Sequence, residues 1–109
     1  MRIVPLLLCV AAAANAADKK EPKVSDAVVK IGVLTDMTGA YSDIAGPGSV
    51  AAAKMAIDDF GGKVLGKPIE MISADHQNKA DIASNTARKW FDEDKVDVIV
   101  DLVSSSTAL

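Results

Sequence analysis

Residues 28–62 read VVKIGVLTDMTGAYSDIAGPGSVAAAKMAIDDFGG, and this stretch decides the fold. Val28–Leu34 is apolar and β-branched with little alternation, the composition of a strand buried on both faces. Thr35–Gly48 is rich in Gly, Asp, Thr and Ser and reads as a long loop. In Ser49–Phe60, the residues Val50, Ala53, Ile57 and Phe60 recur at helical spacing as one apolar stripe. Gly61-Gly62 ends the helix, because glycine takes the left-handed cap conformation cheaply. A strand, a loop and a helix in that order open an α/β unit.

The pattern repeats downstream. Lys63–Pro68 is a turn-rich connector and Ile69–Ala74 a second strand. Asn78 is the expected N-cap of a second helix, with Asp81 in its dipole-favoured first turn. That helix, Ala80–Asp94, should bury Ala83, Ala87 and Trp90. Val96–Val100 (VDVIV) is a third strand, after which Ser104, Ser105, Ser106 and Thr107 offer hydroxyls where a further helix should begin. The order β-α-β-α-β makes this an α/β chain with a parallel sheet, since crossover helices join parallel strands with right-handed connections. The expected strand order is 2-1-3, counting the three strands along the chain. The chain then reverses direction between the first and third strands. Ligands bind at such a switch point, beyond the carboxyl ends of the strands. The loops Thr35–Gly48 and Asp101–Thr107 should therefore face one another across a crevice.

Upstream of the fold, Met1-Arg2 supplies a positive charge and Ile3–Ala14 an apolar run too short to span a bilayer as a helix. Ala14-Asn15-Ala16 is a small-x-small cleavage pattern. Together they read as a secretory signal peptide, residues 1–16, cleaved after Ala16, leaving nothing embedded in a membrane. An uncleaved anchor is one alternative. Lipidation at Cys9 is another, though it needs a small residue before the cysteine and finds Leu8. Cleavage removes Cys9, so the mature chain has no disulfide, zinc-thiolate or thiol nucleophile. Residues 17–27, charged and broken by Pro22, read as a flexible leader.

Composition narrows the function. With 50% hydrophobic and 25% charged residues in 109, the chain is ordinary globular material, not a disordered tail or a disulfide-dense mini-protein. Its 12 Lys and Arg against 15 Asp and Glu leave no basic excess for phosphates, so nucleic acid is not an expected partner.

Several residues invite a chemical reading. The serine run can donate hydroxyls to a carboxylate or other small anion, or it can simply cap a helix; the two roles are compatible. Tyr41, the only tyrosine, sits in the first loop, where a ring can cover a ligand or pack locally. Asp36 and Asp43 share that loop and are read as turn formers rather than an acid–base pair. Gly46-Pro47-Gly48-Ser49-Val50-Ala51 fits G-x-G-x-x-A, but it lies far from the strand end and Pro47 has no amide hydrogen for a phosphate. It is read as a loop-to-helix junction. His76 is the only histidine and is read as a surface loop residue. One histidine without cysteines makes no transition-metal site, and no cofactor is expected.

VKIGVLTDMTGAYSDIAGPGSVAAAKMAIDDFGG and IEMISADHQNKADIASNTARKWFDEDKVDVIVDLVSSSTAL together resemble the start of a periplasmic substrate-binding protein of the branched-chain amino acid (Leu/Ile/Val-binding) ABC transporter family. The resemblance covers Val29–Leu109. It implies a type I periplasmic-binding fold of two lobes that close on a ligand, with residues 28–109 an incomplete N-terminal lobe. It implies a periplasmic, non-enzymatic protein that captures a small carboxylate and delivers it to ABC transporter permease subunits. It implies that Ser104, Ser105 and Ser106 hold the ligand carboxylate, with Thr107 a weaker candidate. Thr38, Gly39, Tyr41 and Ile44 of the first loop would pack over the ligand. Some relatives tie the end of the second strand to the residue before the serine run by a disulfide; the matching positions here are His76 and Val103, so that tie is absent. Members run to several hundred residues, which marks this chain as an N-terminal fragment. It lacks the parts that recognise an ammonium group, so amino acids and aromatic acids stay open as ligands. A sensory module of the same fold, and a secreted α/β enzyme using Asp75 or His76, are the alternative functions.

Overall fold

Val29–Thr35 forms β1 in the computed structural model, which describes residues 26–109. The expected signal peptide and residues 17–25 of the expected leader lie outside the described residues. The remaining elements are α1 (Pro47–Asp59), β2 (Lys63–Val64), β3 (Lys67–Asp75), α2 (Ala80–Asp92), β4 (Val98–Val100) and α3 (Ser105–Ala108). The sheet order is β2-β3-β1-β4. β1 lies parallel to β3 on one side and to β4 on the other, the 2-1-3 arrangement expected of the three long apolar runs.

The expected connector at Lys63–Pro68 is instead a hairpin. Lys63 and Val64 pair antiparallel with Pro68 and Lys67. The two residues between them, Leu65 and Gly66, both have positive φ (51 and 74). Two central residues at positive φ give a turn whose twist matches the flanking strands. The parallel sheet thus gains a short antiparallel edge.

The core lies between the sheet and α2. Leu34, Ala83, Trp90 and Val96 are buried together, with Ile72, Ala74, Ala87, Ile99 and Leu102 packed against them. This matches the expected Ala83/Ala87/Trp90 face. A Cβ at position 32 would lie 2.5 Å from two carbons of the Trp90 ring, so Gly32 is what lets the indole lie on β1. Full burial of Val33, Leu34 and Thr35 agrees with a central strand covered on both sides.

The opposite face of the sheet is covered by α1. Ala53, Ile57 and Phe60 line a shallow groove with Ile31, Ile69 and Val100, so the predicted stripe points the right way. It is not buried, however. None of the residues of α1 is buried, and Phe60 remains 67% exposed. The small side chains Ala51, Ala52, Ala53 and Ala56 give the helix little apolar area to bury.

Two helix starts differ from the sequence expectation. α1 begins at Pro47 rather than Ser49, with proline in its first turn, where the missing N–H costs nothing. The N-cap of α2 is Lys79, not Asn78. Asn78 sits at φ 53, next to Gln77 at φ 53, in a tight turn that asparagine tolerates better than most residues.

Candidate functional site

β1 and β4 are hydrogen-bonded neighbours, with Val33 opposite Val100. The loops that follow them leave the sheet from adjacent positions at its carboxyl edge. These are the two loops expected to form a crevice.

The loop after β1 is built on buried polar groups. Asp36 is fully buried, and its two oxygens accept from Gly39 N (2.6 Å) and Tyr41 N (2.9 Å). It is a turn former, as its place in the loop suggests. A Cβ at position 39 would meet Asp36 Oδ2 at 2.5 Å, so only glycine lets the carboxylate reach both amides. The Gly39 carbonyl accepts from Ser42 N and Ser42 Oγ, and the Tyr41 carbonyl from Ile44 N and Ala45 N. Thr35 Oγ1 accepts from Gly46 N at 2.9 Å. That amide is therefore spent on the loop, in keeping with a loop-to-helix junction rather than a phosphate cradle. Tyr41 is half-buried and Ile44 is 78% exposed, so the loop presents these side chains outward while Asp36 holds its backbone from within.

A second carboxylate braces the loop from β3. Asp75 Oδ1 accepts from Met37 N (2.9 Å) and from Gln77 N (2.8 Å), and Oδ2 accepts from Thr38 Oγ1 (2.6 Å). Burial pushes the Asp75 carboxyl up, but the hydrogen bonds from Thr38, Met37 and Gln77 and the nearby His76 outweigh it and hold it below the ordinary value of 3.8. In the sequence, Asp75 stands out only as a residue of the alternative enzymatic function. The signal that would have found its role is an aspartate at a strand end followed by polar turn residues, the pattern of an Asx-turn.

His76 is not the surface residue expected. Its side chain is fully buried. Its backbone N–H donates to the Thr35 carbonyl (2.8 Å), which draws it into the sheet edge, and Nδ1 accepts from Asn78 N (3.0 Å). Nε2 is buried with no partner among the described residues. With Asp75 saturated by other donors and the imidazole enclosed, the two do not form a solvent-facing catalytic pair.

The loop after β4 turns sharply at Asp101, which has φ 65, and Leu102 drops into the core. Ser104 then occupies the N-cap position of α3, with no side-chain capping bond. Its hydroxyl instead pairs with Ser106 Oγ at 2.8 Å. The Ser104 carbonyl accepts from Thr107 N, Ala108 N and Thr107 Oγ1. Ser105 and Ser106 are exposed. Of the four hydroxyls, Thr107's is turned onto the backbone and Ser104's and Ser106's onto each other. No hydrogen bond joins the two loops among the described residues. Nor does any group of three or more His, Cys, Asp or Glu among them suit a metal ion. No described helix is long and apolar enough to cross a membrane.

The chain is similar to known proteins. A family model described as periplasmic binding protein matches residues 28–109. A periplasmic binding protein from Burkholderia mallei is 58% identical, with a TM-score of 0.72, over 74% of this chain and 22% of its own. A branched chain amino acid ABC transporter periplasmic ligand-binding protein from Burkholderia xenovorans LB400 is 57% identical, with a TM-score of 0.71, over 73% of this chain and 21% of its own. A solute binding protein of an ABC transporter from Rhodopseudomonas palustris BisB5, solved in complex with 3,4-dihydroxy benzoic acid, is 32% identical, with a TM-score of 0.60, over 68% of this chain and 20% of its own. The chain thus spans about a fifth of the length of these solved relatives. No curated protein matches it.

Proposed function

The chain belongs to the periplasmic binding protein family, and on that premise we propose that it forms one wall of a solute-binding protein that captures a small carboxylate and hands it to an ABC importer. The observation that carries this reading is the parallel pairing of β1 with β4, which puts the switch point of the sheet between them. There the loop bearing Tyr41 and Ile44, braced by Asp36 and Asp75, leaves the sheet next to the strand that leads to the hydroxyls of Ser104–Ser106. Open α/β sheets bind ligands at this place.

In this reading Ser104, Ser105 and Ser106 receive the ligand carboxylate, with Thr107 in a lesser role. The loop that carries Thr38, Gly39, Tyr41 and Ile44 forms the covering side. Residues 28–109 are the N-terminal part of the first of two lobes, preceded by the leader 17–27 and by a signal peptide cleaved after Ala16, which places the mature protein in the periplasm. The names of the relatives supply two ligand classes, branched-chain amino acids and hydroxylated benzoic acids. The chemistry common to them is the carboxylate, and the serine hydroxyls suit it.

Isothermal titration of the full-length protein with L-leucine, L-isoleucine, L-valine, benzoate and 3,4-dihydroxybenzoate tests the proposal. One class should bind tightly without turnover, and Ser104→Ala and Ser106→Ala should weaken it. Silence across the panel would count against capture of a small carboxylate.

A further inference from the structure

The loop residues that should face the ligand are held by a side chain from a different strand. Asp75 ends β3, and its carboxylate gathers three donors: Met37 N, Thr38 Oγ1 and Gln77 N, all at 2.9 Å or less. Two of these donors belong to the β1 loop, 37 and 38 residues away in sequence. Asp36 binds two further amides of the same loop, those of Gly39 and Tyr41. Between them the two carboxylates account for the amides of Met37, Gly39 and Tyr41 and for the only hydroxyl in that stretch apart from Tyr41's own. Asp36 is enclosed within its own loop, whereas Asp75 reaches across from a neighbouring strand and fixes the loop against the sheet.

From this geometry we propose that Asp75 is a positioning residue of the binding site, and that Thr38 acts through Asp75 rather than on the ligand. The inference rests on the solute-binding reading given above. Thr38 Oγ1 donates its only proton to Asp75 at 2.6 Å, a short, charge-assisted bond that a ligand acceptor would have to break. With that proton committed, the loop meets the ligand through the Tyr41 ring and the Ile44 side chain, and the Asp75–Thr38 bond sets where they stand. Loop placement of this kind acts on affinity by removing the ordering cost that binding would otherwise carry.

The test uses the full-length protein and the tightest binder among L-leucine, L-isoleucine, L-valine, benzoate and 3,4-dihydroxybenzoate. Thr38→Val removes the donor, Thr38→Ser keeps it, and Asp75→Ala removes the acceptor. Thr38→Val and Asp75→Ala should each weaken the probe about tenfold or more. Thr38→Ser should bind within about twofold of wild type, since it restores the same hydroxyl. The double variant Thr38→Val/Asp75→Ala should be no weaker than Asp75→Ala alone, because Asp75→Ala already removes the bond that Thr38→Val breaks. Thr38 is exposed, so Thr38→Val should leave the melting temperature near that of wild type while affinity falls, a split that a purely structural role does not give. If Asp75→Ala fails to fold, the Thr38→Val and Thr38→Ser pair still decides: recovery by serine supports the inference, and equal loss in both overturns it. A Thr38→Val effect that persists in full on the Asp75→Ala background overturns it too, as does wild-type affinity in either single variant. If the wild-type protein binds no probe, the solute-binding reading itself falls and takes this inference with it. Wild-type binding with unchanged variants sinks only the inference.

Discussion

Gly39 and Asp36 form the most demanding contact of the β1 loop. The carboxylate reaches two amides only because position 39 carries no Cβ, which would sit 2.5 Å from Asp36 Oδ2. Gly39→Ala should therefore push the buried carboxylate off its donors and cost about 1–3 kcal/mol, read as a lowered denaturation midpoint in urea. Asp75 gives a pH-dependent counterpart. Its carboxyl lies below 3.8 in the folded protein, while the unfolded chain has the ordinary value. The folded state thus binds fewer protons in that range. Its contribution to stability is complete above the ordinary carboxylate value and is lost as pH falls through the lower folded value. Urea denaturation followed from about pH 6 to about pH 3 should show a shallower acid-side decline in Asp75→Ala than in wild type.

At the level of elements, the two long helices contribute unequally. α2 inserts Ala83 and Trp90 into the core, whereas none of the residues of α1 is buried. Trp90→Ala should cost about 3–5 kcal/mol, in the range of large-to-small core changes, and Phe60→Ala far less; thermal melts of the two variants would rank them. The same contrast explains what the sequence made legible. β1, β3 and β4 are fixed by apolar runs and α2 by helical spacing, which depend on the residues themselves, and their order and pairing could be read in advance. The β2 hairpin escaped because Leu65 carries positive φ, a conformation leucine rarely adopts and no pattern signals. The start of α2 moved from Asn78 to Lys79 because His76 Nδ1 takes the Asn78 amide, and that bond depends on the burial of a histidine that hydropathy places outside.

Across the whole molecule, the adjacency of β1 and β4, from which the two loops leave the sheet, followed from topology alone, since parallel crossovers leave little choice of arrangement. The side chains that brace those loops did not. Asp75 and Thr38 stand 37 residues apart, and their contact appears only once β1 and β3 are in register. The outer strand β4 is three residues long, and Val98 and Val100 on it are 45% and 37% exposed. Exposed β-branched residues on an unpaired edge invite strand addition from a second chain. The 109-residue polypeptide expressed alone should consequently melt weakly and tend to associate, and Val98→Lys should lower its light scattering at a given concentration.

The Ser104–Ser106 contact has one more consequence. Their hydroxyls share one hydrogen bond at 2.8 Å, which uses one of their two protons and leaves the other. In the proposed site a ligand oxygen would take that remaining proton. A bond to an ionised acceptor is about twice as strong as one to a neutral acceptor. The serine pair would thus weigh solutes of the same shape by charge, favouring a carboxylate over its carboxamide.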